Sequence, residues 1–324
     1  MTFFHRWCTS TCHAIVLSQA GGRVWQGALT QAGLRHPFVL YGMLSLAALH
    51  SAYLEPSAKD SYLVRAASYH NKAIQGFREA VMRQDAASTP NENQEDEGIA
   101  LFVSTMLNVP YVLAMYGPMN EDRQDADEPR SAQIARTLGN EWIPIMRGVQ
   151  VTLRPSYEKI KNSELKSIVT VPNWDDFDVS GDAISEDDAR FLRLSETWKN
   201  HSESDVEVYD KTLGVLRRCC AWAARFQNDY RLRDEGYNHE WSSPFMWIHI
   251  SPESYFALLQ QRQPPALIMF AYFGALLHQL DHYWWIRGWG TSLVNAVDEL
   301  LGSYWAPWME WPKQAILQDE KMVT

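Results

Sequence analysis

The sequence predicts an all-α protein: one domain over 1–324 of about nine to eleven helices, with kinked central helices and a hydrophobic pocket. Three observations carry that expectation. Apolar residues recur at helical spacing over long stretches. No segment of any length alternates with the period of two that a half-buried strand requires. The breaks between helical stretches fall on Pro, Gly and short polar runs, with no linker that divides the chain.

Taken in order, residues 8–20 carry a helical pattern, and "GGRVWQGAL" gives a break followed by a short helix. "RHPFVLYGMLSLAALHSAYL" predicts a central helix. Pro37 suits its first turn, where a missing N–H costs nothing, and its all-round apolarity implies burial on more than one face. Residues 61–84 and 98–116 predict two more, separated by the polar "QDAASTPNENQEDEG". Pro110 inside the second removes a hydrogen bond and bends the rod, which is either a plain packing kink or room for a cavity beside 106–113. After the polar loop "GPMNEDRQDADEPRSA", a helix resumes through "IARTLGNEWIPIMRGVQVTLR".

Residues 154–205 read as an irregular acidic excursion. A long helix follows over 206–230, then two helices split by Pro264 and Pro265, the first capped by Ser251. "HYWWIRGWG", 282–290, reads as the end of the second of these. The tail has an apolar stripe (Leu293, Val297, Leu300, Leu301) and a tryptophan-rich end with Trp305, Trp308 and Trp311.

Composition narrows the function. Hydrophobic residues are 46% and charged residues 21% of 324, an ordinary globular balance, but 14 tryptophans demand burial in a core, a pocket or an interface. The net charge of -10 repels phosphate backbones and no basic block relieves it, so direct nucleic-acid binding by this chain is disfavoured. Four cysteines (Cys8, Cys12, Cys219, Cys220) read as reduced thiols, and Cys8 and Cys12 with His5 and His13 lack the secured geometry of a zinc site. The start of the chain is a poor signal peptide, and apolar runs such as 265–277 are too short and interrupted for a transmembrane segment. The expected location is the nucleus or cytoplasm.

Several landmarks together resemble a known family. They are "HRWCTSTCHAI", "VWQGALTQAGLRHPFVLYGMLSLAALH", "YHNKAIQGFREAV", "ALFVSTMLNVPYVLA", "WIPIMRGVQ" and the stretch from "PPALIMFAYFGALLHQLDHYWWIRGWG" to "WMEWP". In this order they resemble the regulatory domain of fungal zinc-cluster transcription factors of the sterol uptake control type, over roughly 5–150 and 206–312. The resemblance implies a helical domain whose hydrophobic pocket binds a sterol or similar lipid and controls transcription. It also implies a six-cysteine DNA-binding cluster ahead of the domain, which the four cysteines here do not supply. The expected function is therefore a standalone regulatory domain for a hydrophobic small molecule, sterol or terpenoid-like, acting through a homodimer or a regulatory protein partner.

Met106, Pro110, Leu113, Phe273, Trp284, Trp285 and Trp289 are the candidate ligand walls, because aromatic and apolar side chains offer large rigid area to a flat guest. The alternative is a cofactor-free enzyme, a cyclase, isomerase or pericyclic catalyst on a terpenoid or polyketide in secondary metabolism. Such chemistry needs only a shaped cavity and one or two polar groups. Asp281, His278, His282, Tyr283, His50 and His249 are its candidates, with Asp281 suited to act as an acid if dehydrated. No HExxH, GxSxG, GxGxxG or Walker pattern occurs, so no metal and no cofactor is expected. The pairs Asp175–Asp176 and Asp187–Asp188 read as solvated charge.

Overall fold

The first helical segments place two tryptophans by a device that periodicity does not reveal. In the computed structural model, Thr2–Arg6 passes through a π-helical turn, Trp7–Thr11, into Cys12–Ile15. Gln19–Val24 likewise passes through a π-helical turn, Trp25–Leu29, into Thr30–Arg35. A π turn widens the helix by one residue and rotates the next turn about the axis, and such turns concentrate at functional sites. Trp7 and Trp25 each open one; their buried rings lie 6.3 Å apart.

Residues 2–17, 19–85, 92–123, 129–169, 183–228 and 239–318 are described, with 174, 179 and 181. Helices of eight residues or more are α1 Pro37–Leu54, α2 Lys59–Asp85, α3 Glu92–Tyr116, α4 Arg130–Thr137, α5 Trp142–Lys161 and α6 Glu186–Arg193. They continue as α7 Glu203–Asn228, α8 His239–Ile250, α9 Glu253–Gln260, α10 Pro264–His278, α11 Trp289–Leu300 and α12 Ala306–Gln318. There is no sheet among the described residues.

Two apolar helices organise the bundle. Pro37 opens α1, which packs against α2 and α3 with Leu46, Ala47, Ala48 and Leu49 fully buried. In α10 every residue from Pro265 to His278 is buried, between α7, α9, α11 and α12. Trp142, at the start of α5, joins the two parts: its ring stacks on Phe270 of α10 at 6.2 Å and meets Trp289 edge-on at 5.7 Å. By length and composition, α1 and the stretch Glu95–Tyr116 could each cross a membrane, contrary to the expectation that no run is long enough. Both are 67% buried by the rest of the protein, as core helices are.

Several boundaries differ from the sequence expectation, each for a local reason. The helix expected through "IARTLGNEWIPI" breaks at Leu138–Glu141, where Gly139 takes φ 94°. Pro144 then falls in the opening turn of α5 and costs no hydrogen bond. The segment before Pro264 forms two helices, α8 and α9, because Pro252 interrupts the ladder after Ile250. Pro252 is the N-cap of α9; Ser251 is buried and makes no capping bond. More helices result than the nine to eleven expected.

Within 154–205, α5 runs on to Lys161, followed by the short Lys166–Val169 and by α6. Ser185 caps α6, accepting from the Asp188 backbone N–H at 3.1 Å. Asp188 is no solvated charge: its carboxylate receives both Nε and Nη2 of Arg217 in α7 at 2.7 Å, with both side chains buried. Asp175 and Asp176 lie outside the described residues, as do 86–91, 124–128 and 229–238.

Candidate functional site

One face each of α3, α5 and α8 lines a partly open apolar cavity of about 140 Å³. Helical spacing explains the choice of residues. α3 contributes Phe102, Met106, Val109 and Pro110; α5 contributes Met146, Val149, Gln150 and Leu153; α8 contributes Trp241, Phe245 and His249. Pro110 leaves the Met106 carbonyl without its helical donor at the level of the cavity. Ile15, Trp25 and Trp285 also line it.

The walls are set by ring packing. Trp241 meets Trp285 edge-on at 5.9 Å, and Phe245 lies 6.0 Å from both. The Trp285 Nε1–H donates to the Ile15 carbonyl at 3.3 Å, tying the tryptophan-rich turn to the N-terminal segment. No Asp, Glu, Lys or Arg lines the cavity among the described residues. Its volume matches an engineered cavity of about 150 Å³ that takes benzene. It falls below the roughly 300–1,000 Å³ of pockets for drug-sized ligands.

The polar fittings are few. Neither Trp25 Nε1 nor Trp241 Nε1 has a hydrogen-bond partner, and His249 Nδ1 is also buried and unbonded. Burial, then the positive charge of Arg147, lowers the His249 pKa from 6.5 to about 4, so the ring is neutral. Arg147 itself is held by the Ile248 and Ser251 carbonyls at 2.8 and 2.9 Å and lies over the Phe256 ring. Beyond α5, between it and α9, a second depression of about 530 Å³ is lined by Ile143, Val151, Phe256 and this arginine.

"HYWWIRGWG" is not the end of a helix. α10 stops at His278, residues 279–288 form successive turns, and α11 begins at Trp289. Asp281 organises the turn: its Oδ1 accepts the Gly288 N–H at 3.0 Å, and Gly288 takes φ 83°, a conformation that favours glycine. The three tryptophans consequently diverge. Trp284 stacks on His50 at 5.0 Å, Trp285 faces the cavity, and Trp289 donates to the Leu113 carbonyl. Arg287 reaches Tyr53 Oη at 3.5 Å.

Of the expected wall residues, Met106, Pro110 and Trp285 line the cavity. Leu113, Trp284 and Trp289 pack elsewhere in the core, and Phe273 stacks on Trp247 at 4.6 Å. Of the residues considered for catalysis, His249 reaches the cavity. His50 contacts Thr11 Oγ1 at 3.1 Å, and burial followed by the Arg6 charge lowers its pKa to about 4. His278 Nδ1 lies 3.1 Å from Asp281, whose side chain is 28% exposed and serves the turn. His282 is exposed with its ring 4.4 Å from that of buried Tyr283. Trp305, Trp308 and Trp311 are half-buried away from the cavity, Trp311 stacked on Tyr272 at 4.8 Å. Trp25 and Trp241 are not legible in the sequence as wall residues. Its only signal for them is the surplus of tryptophan.

All four cysteines are free thiols, and burial pushes Cys12 up to about 11. No cluster of three His, Cys, Asp or Glu residues suited to a metal occurs among the described residues.

The fold and cavity define a class: an all-helical domain with a small apolar chamber at the junction of its N-terminal and C-terminal parts. Residues 2–152 match the family described as the fungal specific transcription factor domain. A Zn(2)-C6 fungal-type transcription factor from Gibberella zeae is 24% identical over 315 residues, covering 93% of this chain. The chain spans 58% of that relative's length. The N-terminal stretch is thus similar to a fungal transcription factor domain, and most of the chain to a Zn(2)-C6 fungal-type transcription factor.

Proposed function

We propose that this domain is a regulatory module that binds a hydrophobic small molecule in the cavity between α3, α5 and α8. One observation carries the reading. The walls come from both the stretch that matches the transcription-factor family, through Trp25, Met106 and Val149, and the C-terminal helices, through Trp241 and Trp285. A guest there touches both parts at once. Any difference in its affinity for two arrangements of those parts becomes a change of arrangement, which a homodimer or a regulatory protein partner can read.

The size of the cavity favours one or two rings over a whole sterol nucleus. The setting for this role is the nucleus or cytoplasm of a fungal cell. The test is direct. The purified protein is extracted with organic solvent for mass spectrometry, and its melting temperature is measured with indane, a two-ring hydrocarbon of suitable size. A co-purifying apolar molecule, or a rise in melting temperature with indane, supports the reading. An empty extract together with an unmoved melting temperature sinks it.

A further inference from the structure

We infer that the guest of this cavity is a neutral, compact carbonyl compound of one or two rings, recognised through an accepting oxygen by the indole N–H groups of Trp25 and Trp241. The inference rests on the cavity being a ligand site and adds the chemistry of the ligand.

Indole nitrogen is a donor only, so a buried Nε1–H needs an acceptor. Elsewhere the chain supplies one. Trp7 donates to Thr30 Oγ1, Trp198 to Asp210, Trp247 to the Thr212 carbonyl, Trp285 to Ile15 and Trp289 to Leu113. Trp25 and Trp241 are 1% and 8% exposed and have no such acceptor. The Nε1 atoms of Trp142 and Trp284 are also unbonded, but those residues do not line this cavity. What distinguishes Trp25 and Trp241 is that both form the wall of one open space.

A buried donor left unpaired keeps its full desolvation cost, so a guest that supplies the acceptor gains what a hydrocarbon of the same shape forgoes. A charged guest is disfavoured because no ionised side chain on the wall would offset its desolvation. The unbonded Nδ1 of neutral His249 offers a third polar point, an acceptor or a donor according to tautomer.

Indane and 1-indanone differ by one carbonyl oxygen, and titration calorimetry of the two on the purified protein tests the inference. The expected result is that 1-indanone binds about tenfold more tightly, the ratio for one rescued donor. The indole N–H resonances of Trp25 and Trp241, assigned from Trp25→Phe and Trp241→Phe, should move downfield with 1-indanone and not with indane. Each variant should reduce the ratio of 1-indanone to indane affinity, each ratio being measured within the same variant so that the change of wall shape is common to both compounds. If one variant does not fold, the other and the wild-type ratio still decide. Equal affinities, or indole resonances unmoved by the ketone, overturn the carbonyl assignment while indane binding leaves the cavity reading standing. If neither compound binds, both fall.

Discussion

The indole Nε1–H of Trp289 donates to the backbone carbonyl of Leu113 at 2.8 Å across 176 residues of sequence. It bonds the first turn of α11 to the last turns of α3, just beyond Pro110. Gly117 makes the approach feasible, because a Cβ there would overlap both Leu113 O and Trp289 Nε1. Trp289→Phe removes the donor and replaces a buried indole with a smaller ring, so it should cost at least about 1–3 kcal/mol in urea unfolding with little change in m. Gly117→Ala should cost at least as much. A variant of either kind within about 0.3 kcal/mol of wild type would show that this bond is not structural.

The Arg217–Asp188 pair should behave as a buried clamp between α6 and α7. Burial alone would raise the Asp188 pKa, but the Arg217 hydrogen bonds outweigh it and hold the carboxyl below its usual value. Its stabilisation is therefore present above the unfolded pKa near 3.8 and is lost as pH falls through the lower folded value. Asp188→Ala should cost about 3–5 kcal/mol at pH 7, because it leaves Arg217 uncompensated. Replacing both residues with Leu and Met should recover much of that loss in a double-mutant cycle.

His50 and His249 give the opposite group type and a different pH window. Both fold with pKa values lowered from 6.5 to about 4 by burial, helped by Arg6 and Arg147 respectively. Between those values the unfolded chain binds protons that the folded chain refuses, so stability falls as pH drops from about 6.5 towards 4. Each contributes up to about 1.4 kcal/mol per pH unit in that window. Urea midpoints at pH 7 and pH 5 should differ less in His50→Leu than in wild type. An unchanged difference would mean that His50 does not titrate as its burial implies.

Filling the chamber should abolish the site without unfolding the protein. Val149 is buried on its wall, and Val149→Phe places a ring in a space of about 140 Å³. Indane binding should weaken at least tenfold, with a stability change within about 1–3 kcal/mol from imperfect fit. Undiminished binding would place the guest elsewhere.

How much of the fold is legible in the sequence depends on range. Pro37 at the start of α1, the all-round apolarity of α1 and Pro110 within α3 are local facts, and the helices they mark are present. The turn at 279–288 reads as helix in the sequence because its determinants act across the turn. Asp281 bonds the N–H seven residues on, and Gly288 permits the left-handed φ. A helix start near Ser251 is legible, but its cap is not: Pro252 is the N-cap, and Ser251 is buried with its carbonyl taken by Arg147. For the site, the cavity lies beside Met106, Val109 and Pro110, near the proline that marks it.

By itself, the sequence determined an all-helical chain and which helices are apolar enough to be central, because helix period, proline chemistry and burial propensity are written residue by residue. Only the tertiary structure decided which tryptophans enclose space. Trp284, Trp285 and Trp289 sit within six residues yet face His50, the cavity and Leu113 respectively. Trp25 and Trp241, far apart in the chain, line the same cavity. The physical reason is that a cavity belongs to no element. It is the space left where helices distant in sequence fail to fill the volume between them, and no local pattern encodes that remainder.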